Sequence, residues 1–233
     1  MNSRILPLFL SFCILFTGYA VFSRKQISPS AAKTVSVFPS SEFTETKCEK
    51  PCVALTFDDG PSARYTPLLL DGLKERGAHA TFFLIGKNME GNEDLVRRII
   101  KEGHIIGNHT YNHVTLRNLP ASKAREEILK TNNRIYEITG IYPTLVRPPF
   151  GEWQKNLELS VSMLPVMWDI DTLDWKTKNV QTSVSIVEKQ LRDGAIILMH
   201  DGYASSVEAA LEIVDMVLEK GYRLVTVDHL LVC

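Results

Sequence analysis

The stretch Val53-Ala54-Leu55-Thr56-Phe57-Asp58-Asp59-Gly60-Pro61 decides the fold, because it places two adjacent carboxylates at the end of an apolar run. The run is typical of a buried strand, and Gly60-Pro61 favours a sharp turn out of it. Adjacent carboxylates repel each other and resist removal from water. Since neighbouring strand residues point to opposite faces, we expect one carboxylate to meet a cation and the other to act as a base. The alternative is a solvated Asp-Asp-Gly turn.

The rest of the chain alternates between short apolar runs and longer amphipathic stretches, which indicates an α/β fold. The apolar runs predict seven strands, at 53–57, 80–85, 105–107, 144–147, 166–170, 195–199 and 223–227. Apolar residues at three-to-four spacing predict helices at 65–76, 93–102, 122–139, 156–163, 183–192 and 207–220. This order implies a parallel sheet covered by helices, which can close into a barrel. Functional residues of such folds gather at the carboxyl ends of the strands.

Length and charge set broad limits. The chain has 233 residues, of which 45% are hydrophobic and 23% charged, as in an ordinary globular protein. This length fits one large α/β domain or two small ones. The net charge of -1 gives no indication of a nucleic-acid partner, and the sequence leaves the oligomeric state open.

The N-terminus differs from the rest of the chain. Residues 5–22 carry no charge and are flanked by basic residues. As a helix this stretch would span about 27 Å, close to the thickness of a bilayer's hydrocarbon core. We therefore expect a signal peptide or an uncleaved membrane anchor at 1–22, a linker at 23–47 and the functional domain at 48–233. Either N-terminal segment sends the domain across a membrane.

Three cysteines follow the apolar segment: Cys48, Cys52 and Cys233. An exported chain can form one disulfide from three cysteines and leave one thiol free. A bridge between the C-terminal residue and the start of the first strand is one option, but the sequence does not choose the pair.

A histidine pair follows the predicted strand at 105–107. His109 and His113 are spaced i, i+4, so on a helical turn both imidazoles share a face and can bind one cation. Alone, such a pair is more often incidental. Together with one carboxylate of Asp58-Asp59, it makes a three-ligand site with positions open for water and substrate. This ligand set suits Zn²⁺, with Co²⁺, Ni²⁺ and Mn²⁺ as alternatives.

Arg147 ends another predicted strand, directly before Pro148-Pro149. Prolines have no backbone N–H, so the Phe150 amide is one of few donors in this stretch and can serve as an oxyanion donor. Arg147 can pair with a carboxylate and hold it ionised. The alternative is an ordinary surface arginine.

His200 follows the apolar run at 195–199. A histidine in this position is otherwise often a satisfied core residue. A catalytic role requires a carboxylate that orients the ring and raises its pKa, and Asp174 is the candidate partner.

In this order, the polar clusters resemble the polysaccharide deacetylases of the NodB-homology type, carbohydrate esterase family 4. The matching stretches are Thr56-Phe57-Asp58-Asp59-Gly60-Pro61, His109-Thr110-x-x-His113, Arg147-Pro148-Pro149-Phe150-Gly151, Asp171-Thr172-Leu173-Asp174-Trp175 and Leu198-Met199-His200. The resemblance covers residues 52–231. One position departs from it, because the family commonly has tyrosine where Phe150 stands.

The resemblance implies an α/β fold, a distorted (β/α) barrel of about seven parallel strands with surrounding helices. It also implies a metal-dependent hydrolase that removes acetyl groups from N-acetylglucosamine polymers or, in some members, acetyl esters from xylan. By the same resemblance, Asp59, His109 and His113 bind the metal. Asp58 is the general base that activates water, and Arg147 holds Asp58.

The remaining roles also come from the resemblance. The Phe150 amide stabilises the oxyanion. His200 protonates the leaving amine and is tuned by Asp174. Trp175 and Leu198 shape the acetyl pocket.

The expected substrate is an extracytoplasmic polysaccharide. Peptidoglycan is the first choice because a short linker would keep the domain near the wall, and chitin oligomers and acetylated xylan are the alternatives. A non-catalytic glycan-binding protein is a further alternative. Asn108-His109-Thr110 is a formal glycosylation sequon. A glycan there would obstruct a metal ligand, so we expect a bacterial cell envelope rather than a eukaryotic secretory pathway.

Overall fold

The computed structural model describes residues 50–154, 157 and 162–232, and in this part of the chain eight strands form one parallel sheet. The strands are β1 (Cys52–Asp58), β2 (Thr81–Leu84), β3 (Ile105–Asn108), β4 (Leu145–Val146), β5 (Leu164–Pro165), β6 (Ile170–Asp171), β7 (Ile196–His200) and β8 (Arg223–Val225). Their order in the sheet is β5-β4-β3-β2-β1-β7-β6, and β8 pairs with the first half of β1.

Helices connect most of these strands. The α-helices of the described residues are α1 (Thr66–Glu75), α2 (Glu93–Lys101), α3 (Ala121–Thr139), α4 (Asp174–Thr177), α5 (Val180–Gln190), α6 (Ala204–Glu219) and α7 (Val227–Leu230). Short 3₁₀ helices lie at Gly86–Met89 and Pro149–Gly151. The predicted fold class is confirmed, since parallel strands alternate with helices and curve into a partial barrel.

One predicted strand is wrong. The segment 166–170 lies mostly between β5 and β6 rather than forming a single strand. The backbone N–H of Val166 donates to Val146, whereas that of Asp169 donates to Ile196. The chain therefore crosses from the β4 side of the sheet to the β7 side within a few residues, and this crossing prevents one continuous ladder.

Other differences concern short elements. The helices α4 and α7 were not predicted, because four residues are too few to show a helical period. The end of the predicted strand 223–227 belongs instead to α7. Most of the predicted helix 156–163 lies outside the described residues.

The alternation of β1 sorts its side chains between two cores. Val53, Leu55 and Phe57 are buried in the large apolar cluster that α1, α2 and α6 complete. Ala54 packs on the opposite face of the sheet, in a smaller cluster inside the barrel. Because residues two apart share a face, Asp58 also points to the inner side.

Several predictions about the chain's ends concern residues that the structure does not describe. They include the segment 1–22, the linker 23–47 and two of the cysteines, so the domain boundaries and disulfide pairing remain predictions. Cys52 is buried, and its thiol donates to the Lys50 carbonyl at 3.3 Å. Among residues 50–154, 157 and 162–232, no helix is both long and apolar enough to cross a membrane.

Gly107 in β3 provides a test of the inner packing. A Cβ at this position would lie 2.4 Å from Phe83 Cδ1 and 3.3 Å from the Leu145 carbonyl oxygen. We expect Gly107→Ala to lower the free energy of unfolding by about 1–3 kcal/mol through overpacking, measured by urea denaturation. The control is Gly202→Ala, whose Cβ meets no atom within 4 Å. Equal stability of the two variants would contradict the close approach at Gly107.

Candidate functional site

The carboxyl ends of the strands surround a cavity of about 470 Å³. Eight of the ten site residues predicted from the sequence line it, and the other two, Arg147 and Asp174, bond to lining residues from behind. The complete lining is Asp58, Asp59, His109, His113, Phe150, Trp168, Asp171, Trp175, Leu198, His200 and Tyr203.

Asp58 lies at the end of β1 and is held by a buried arginine. Arg147 is completely buried and donates through Nη1 to Asp58 Oδ1 at 2.8 Å and to Thr56 Oγ1 at 2.7 Å. Its Nε and Nη2 donate to the carbonyl oxygens of Val166 and Met167. The guanidinium thus satisfies only Oδ1 of Asp58. The other oxygen, Oδ2, lies 3.7 Å from His109 Nε2 and faces the cavity.

Asp59 turns the chain out of β1 and still reaches the same cavity. Its backbone adopts a left-handed conformation with φ of 73°. Asn88 donates to the Asp59 carbonyl at 2.8 Å, and the Ile85 N–H donates to the Gly60 carbonyl at 2.9 Å. This turn explains how two consecutive carboxylates converge, although strand alternation alone would separate them.

His109 and His113 lie in a loop after β3 rather than on the helical turn that their spacing suggested. Thr110 and His113 have φ of 63° and 56°, which is incompatible with a right-handed helix. The loop nevertheless brings the two rings together, with centroids 5.1 Å apart. His109 Nδ1 lies 2.7 Å from the Arg147 carbonyl oxygen. A carbonyl can only accept, so Nδ1 carries a proton, and in the neutral ring Nε2 has the lone pair that faces the cavity.

The donor atoms of Asp59, His109 and His113 fit a small divalent cation. Asp59 Oδ1 lies 3.4 Å from His109 Nε2 and 3.2 Å from His113 Nε2. Ligands bound tetrahedrally at about 2.0–2.1 Å from zinc are about 3.4 Å apart. Asp59 Oδ1 is buried and has no hydrogen-bond partner among the described residues. A buried carboxylate oxygen aimed between two imidazoles is the arrangement expected of a metal ligand.

The charge states of these residues suit the same purpose. Burial alone would raise the pKa of Asp59, but the imidazoles of His109, His113 and His200 outweigh it and hold that pKa below 3.8. Burial lowers the pKa of His113 below 6.5 and outweighs the attraction of Asp59. A carboxylate and a neutral imidazole are the forms in which these side chains bind metals.

His200 ends β7, the strand that pairs with β1, and lies in register with Asp58. Its Nδ1 lies 2.9 Å from Asp174 Oδ1, and its backbone N–H donates to Asp174 Oδ2 at 2.9 Å. Burial would lower the pKa of His200, but the Asp174 carboxylate, with Asp58 and Asp59 nearby, raises it to about 9. The imidazole is therefore protonated at neutral pH, and Nε2 is its remaining donor.

The rim of the cavity is aromatic. Phe150, which is 68% exposed, packs edge-on against the His113 ring with the centroids 4.8 Å apart. Trp175 is exposed on α4, and Leu198 is buried in the wall. An exposed aromatic rim beside a polar base can stack on the faces of sugar rings.

Three lining residues are not among the ten predicted site residues, namely Trp168, Asp171 and Tyr203. Asp171 ends β6, and Tyr203 lies three residues after the end of β7. The position of both at strand ends was a usable signal.

Comparison with known proteins agrees with this geometry. The model of the family described as polysaccharide deacetylase matches residues 45–167. The chain is 42% identical over 178 residues to peptidoglycan-N-acetylmuramic acid deacetylase PdaC of Bacillus subtilis. That match covers 76% of this chain and 38% of the relative. This chain is also 37% identical over 178 residues to peptidoglycan-N-acetylglucosamine deacetylase PgdA of Listeria monocytogenes, a match that covers 76% of this chain and 38% of that relative.

The structural comparison extends over a similar region. The solved structure of PdaC from Bacillus subtilis superposes with a TM-score of 0.76 and 41% identity, covering 78% of this chain and 90% of that one. The chain spans about two fifths of the length of the two curated relatives. The family match, the sequence identity and the shared fold confirm the resemblance, and this chain belongs to the polysaccharide deacetylase family.

Proposed function

We propose that this protein is a metal-dependent N-deacetylase that hydrolyses the acetamido group of N-acetylglucosamine residues in peptidoglycan. The observation that carries the proposal is that three groups of side chains meet at one cavity. These are the Arg147–Asp58 pair, the Asp59/His109/His113 cluster and the His200–Asp174 pair. Amide hydrolysis needs a base for water, a stabiliser for the carbonyl oxygen and an acid for the leaving amine.

Asp58 and His200 divide the proton transfers. Asp58 Oδ2, left free by Arg147, accepts a proton from the attacking water as the new C–O bond forms. The developing oxyanion is met by the Phe150 backbone N–H. His200 Nε2 then gives its proton to the amide nitrogen as the C–N bond breaks, so acetate and a free amine leave. Asp174 holds the ring and keeps it protonated until this step. Leu198 and Trp175 enclose the acetyl methyl group.

The family is metal-dependent, and we assign the ligands as Asp59, His109 and His113. A divalent cation at this position polarises the acetyl carbonyl and lowers the pKa of water. Two imidazoles and one carboxylate favour Zn²⁺, and Co²⁺, Ni²⁺ and Mn²⁺ are alternatives that the same ligands can bind. His109 is orientated by the Arg147 carbonyl, as metal-binding histidines commonly are.

The choice of sugar is the most specific part of the proposal. One relative is named for N-acetylmuramic acid and the other for N-acetylglucosamine, so both sugars of peptidoglycan are candidates. We commit to N-acetylglucosamine. Because the substrate is a wall polymer, we place the site of action outside the cytoplasmic membrane. The predicted signal or anchor at 1–22 is consistent with this location.

The direct test is acetate release from acetylated glycans by the purified, zinc-loaded protein. We expect acetate release from peptidoglycan, and mass spectrometry of the digested wall should locate the loss of 42 Da on glucosamine. Loss of the acetyl group from N-acetylmuramic acid instead would show that the enzyme acts on the other sugar of peptidoglycan. Activity on chitin oligomers or acetylxylan alone would show that peptidoglycan is not the substrate.

The Asp58→Asn variant tests the base. It should lower kcat by about 10²–10⁴-fold, the usual contribution of a general base. Undiminished activity of Asp58→Asn would exclude Asp58 as the base.

A second prediction concerns metal binding itself. His109→Ala removes one of three protein ligands, so stoichiometric zinc and activity should be lost together, with zinc measured by atomic absorption after dialysis. His229→Ala, an exposed histidine on α7, is the control and should retain both. A His109→Ala protein that keeps one zinc per chain would remove His109 from the ligand set.

The third prediction uses the raised pKa of His200. An acid must be protonated to act, so the rate should fall as pH rises through about 9. Asp174→Asn removes the carboxylate that raises this pKa, and the alkaline fall should move about one to three pH units lower. The measurement is kcat against pH. Asp215→Asn breaks a surface pair with Arg76 and is the control. An unshifted alkaline limb would show that Asp174 does not tune the acid.

A further inference from the structure

We propose that Glu127 on α3 is a positioning residue that holds the loop 109–113 in the conformation that presents His113 to the metal. The inference rests on the proposed metal site, but it concerns a residue outside the cavity and outside every motif quoted above. Glu127 does not line the cavity. Its carboxylate faces the backbone of the loop between the two histidines.

Three hydrogen bonds join this one carboxylate to the loop. Oε2 accepts the backbone N–H groups of Tyr111 at 3.0 Å and Asn112 at 2.8 Å. Oε1 accepts the Asn112 side-chain amide at 2.7 Å. Two consecutive backbone amides that converge on one oxygen require a sharp local turn, and a charged acceptor binds them more strongly than a neutral one.

The residues on either side of these amides are strained. Thr110 and His113 both adopt left-handed φ values, which are unfavourable for side chains with a Cβ. Such conformations persist only where surrounding contacts impose them. On the other side of the loop, the amides of Gly86 and Lys87 donate to the Thr110 and Tyr111 carbonyls. Glu127 binds the loop through the Tyr111 and Asn112 amides. We call these two sets of hydrogen bonds, from Gly86 and Lys87 and from Glu127, the clamp.

The two histidines depend on the clamp to different degrees. His109 belongs to the end of the sheet, since its backbone N–H donates to Leu84 and its ring bonds to the Arg147 carbonyl. Among the described residues, the His113 ring contacts only Asp59 and the rings of His109 and Phe150, and none of these contacts anchors its backbone. Removal of the Glu127 carboxylate should therefore displace His113 from the proposed metal site, whereas His109 and the sheet should stay in place.

The test is the zinc affinity of the full-length Glu127→Ala protein, measured by competition with a chromophoric chelator. We expect the dissociation constant to rise about 10–100-fold, the usual effect of removing a partner that orients metal ligands. Glu126→Ala is the matched control, because Glu126 is the preceding residue on α3 and forms an exposed pair with Lys123. It should bind zinc like the unmodified protein. The visible spectrum of the cobalt-substituted protein should change in Glu127→Ala alone.

Glu127→Gln separates positioning from folding. Its amide oxygen can still accept the two backbone N–H groups, so we expect a zinc affinity between those of the unmodified protein and Glu127→Ala. Unchanged zinc affinity and cobalt spectrum in both Glu127 variants would overturn the inference, whatever happens to the melting temperature of the metal-free protein. If the unmodified protein itself binds no stoichiometric zinc, the proposed metal site fails first and the role of Glu127 fails with it.

Discussion

The buried charge of Arg147 is the constraint on which the rest of the site depends. A guanidinium inside a barrel cannot shed its proton and must be neutralised where it lies. Asp58 supplies the opposite charge, and the remaining N–H groups meet Thr56 and two carbonyl oxygens of the crossing segment 166–167. Breaking such a pair from one side typically costs about 3–5 kcal/mol. The aspartate at the end of β1 is thus tied to the fold, and only one of its oxygens is left for chemistry.

The same residue also orients His109, a proposed metal ligand whose Nε2 lies 3.7 Å from Asp58 Oδ2. The Arg147 backbone N–H donates to the Asn108 carbonyl, and its own carbonyl receives the His109 ring proton. One residue therefore fixes the proposed base through its side chain and a proposed ligand through its main chain. Both contacts start from Arg147, the residue that directly follows β4.

The sequence predicted the fold class and eight of the residues that line the cavity. The fold class and the candidate base, acid and metal ligands follow from local patterns, whereas Trp175 and Leu198 came only from the family resemblance. A polar residue after an apolar run marks a strand end, and the ends of parallel strands meet at one edge. The conformations of the connecting loops could not be predicted in this way. His109 and His113 were expected on a helical turn because of their spacing, but tertiary hydrogen bonds impose a left-handed loop instead. Glu127 was invisible for the same reason, since its partners are main-chain amides that any sequence carries.

Backbone strain in these loops gives the site its shape. Among the described residues, the non-glycine positions with positive φ are Asp59, Thr110, His113, Phe150, Leu173 and Lys178. The first five lie in the segments that follow β1, β3, β4 and β6, whereas Lys178 caps the C-terminal end of α4. Each left-handed residue costs about 1–2 kcal/mol. Local acceptors and donors offset the strain, as Asn88 does at Asp59 and Asp171 does at the Leu173 amide. We expect a substitution that relaxes the backbone at Asp59, His113 or Phe150 to stabilise the chain and to displace a proposed metal ligand or the proposed oxyanion donor. Under the proposed function, stability and catalysis are therefore opposed in the loops, whereas at Arg147 the same contacts serve both.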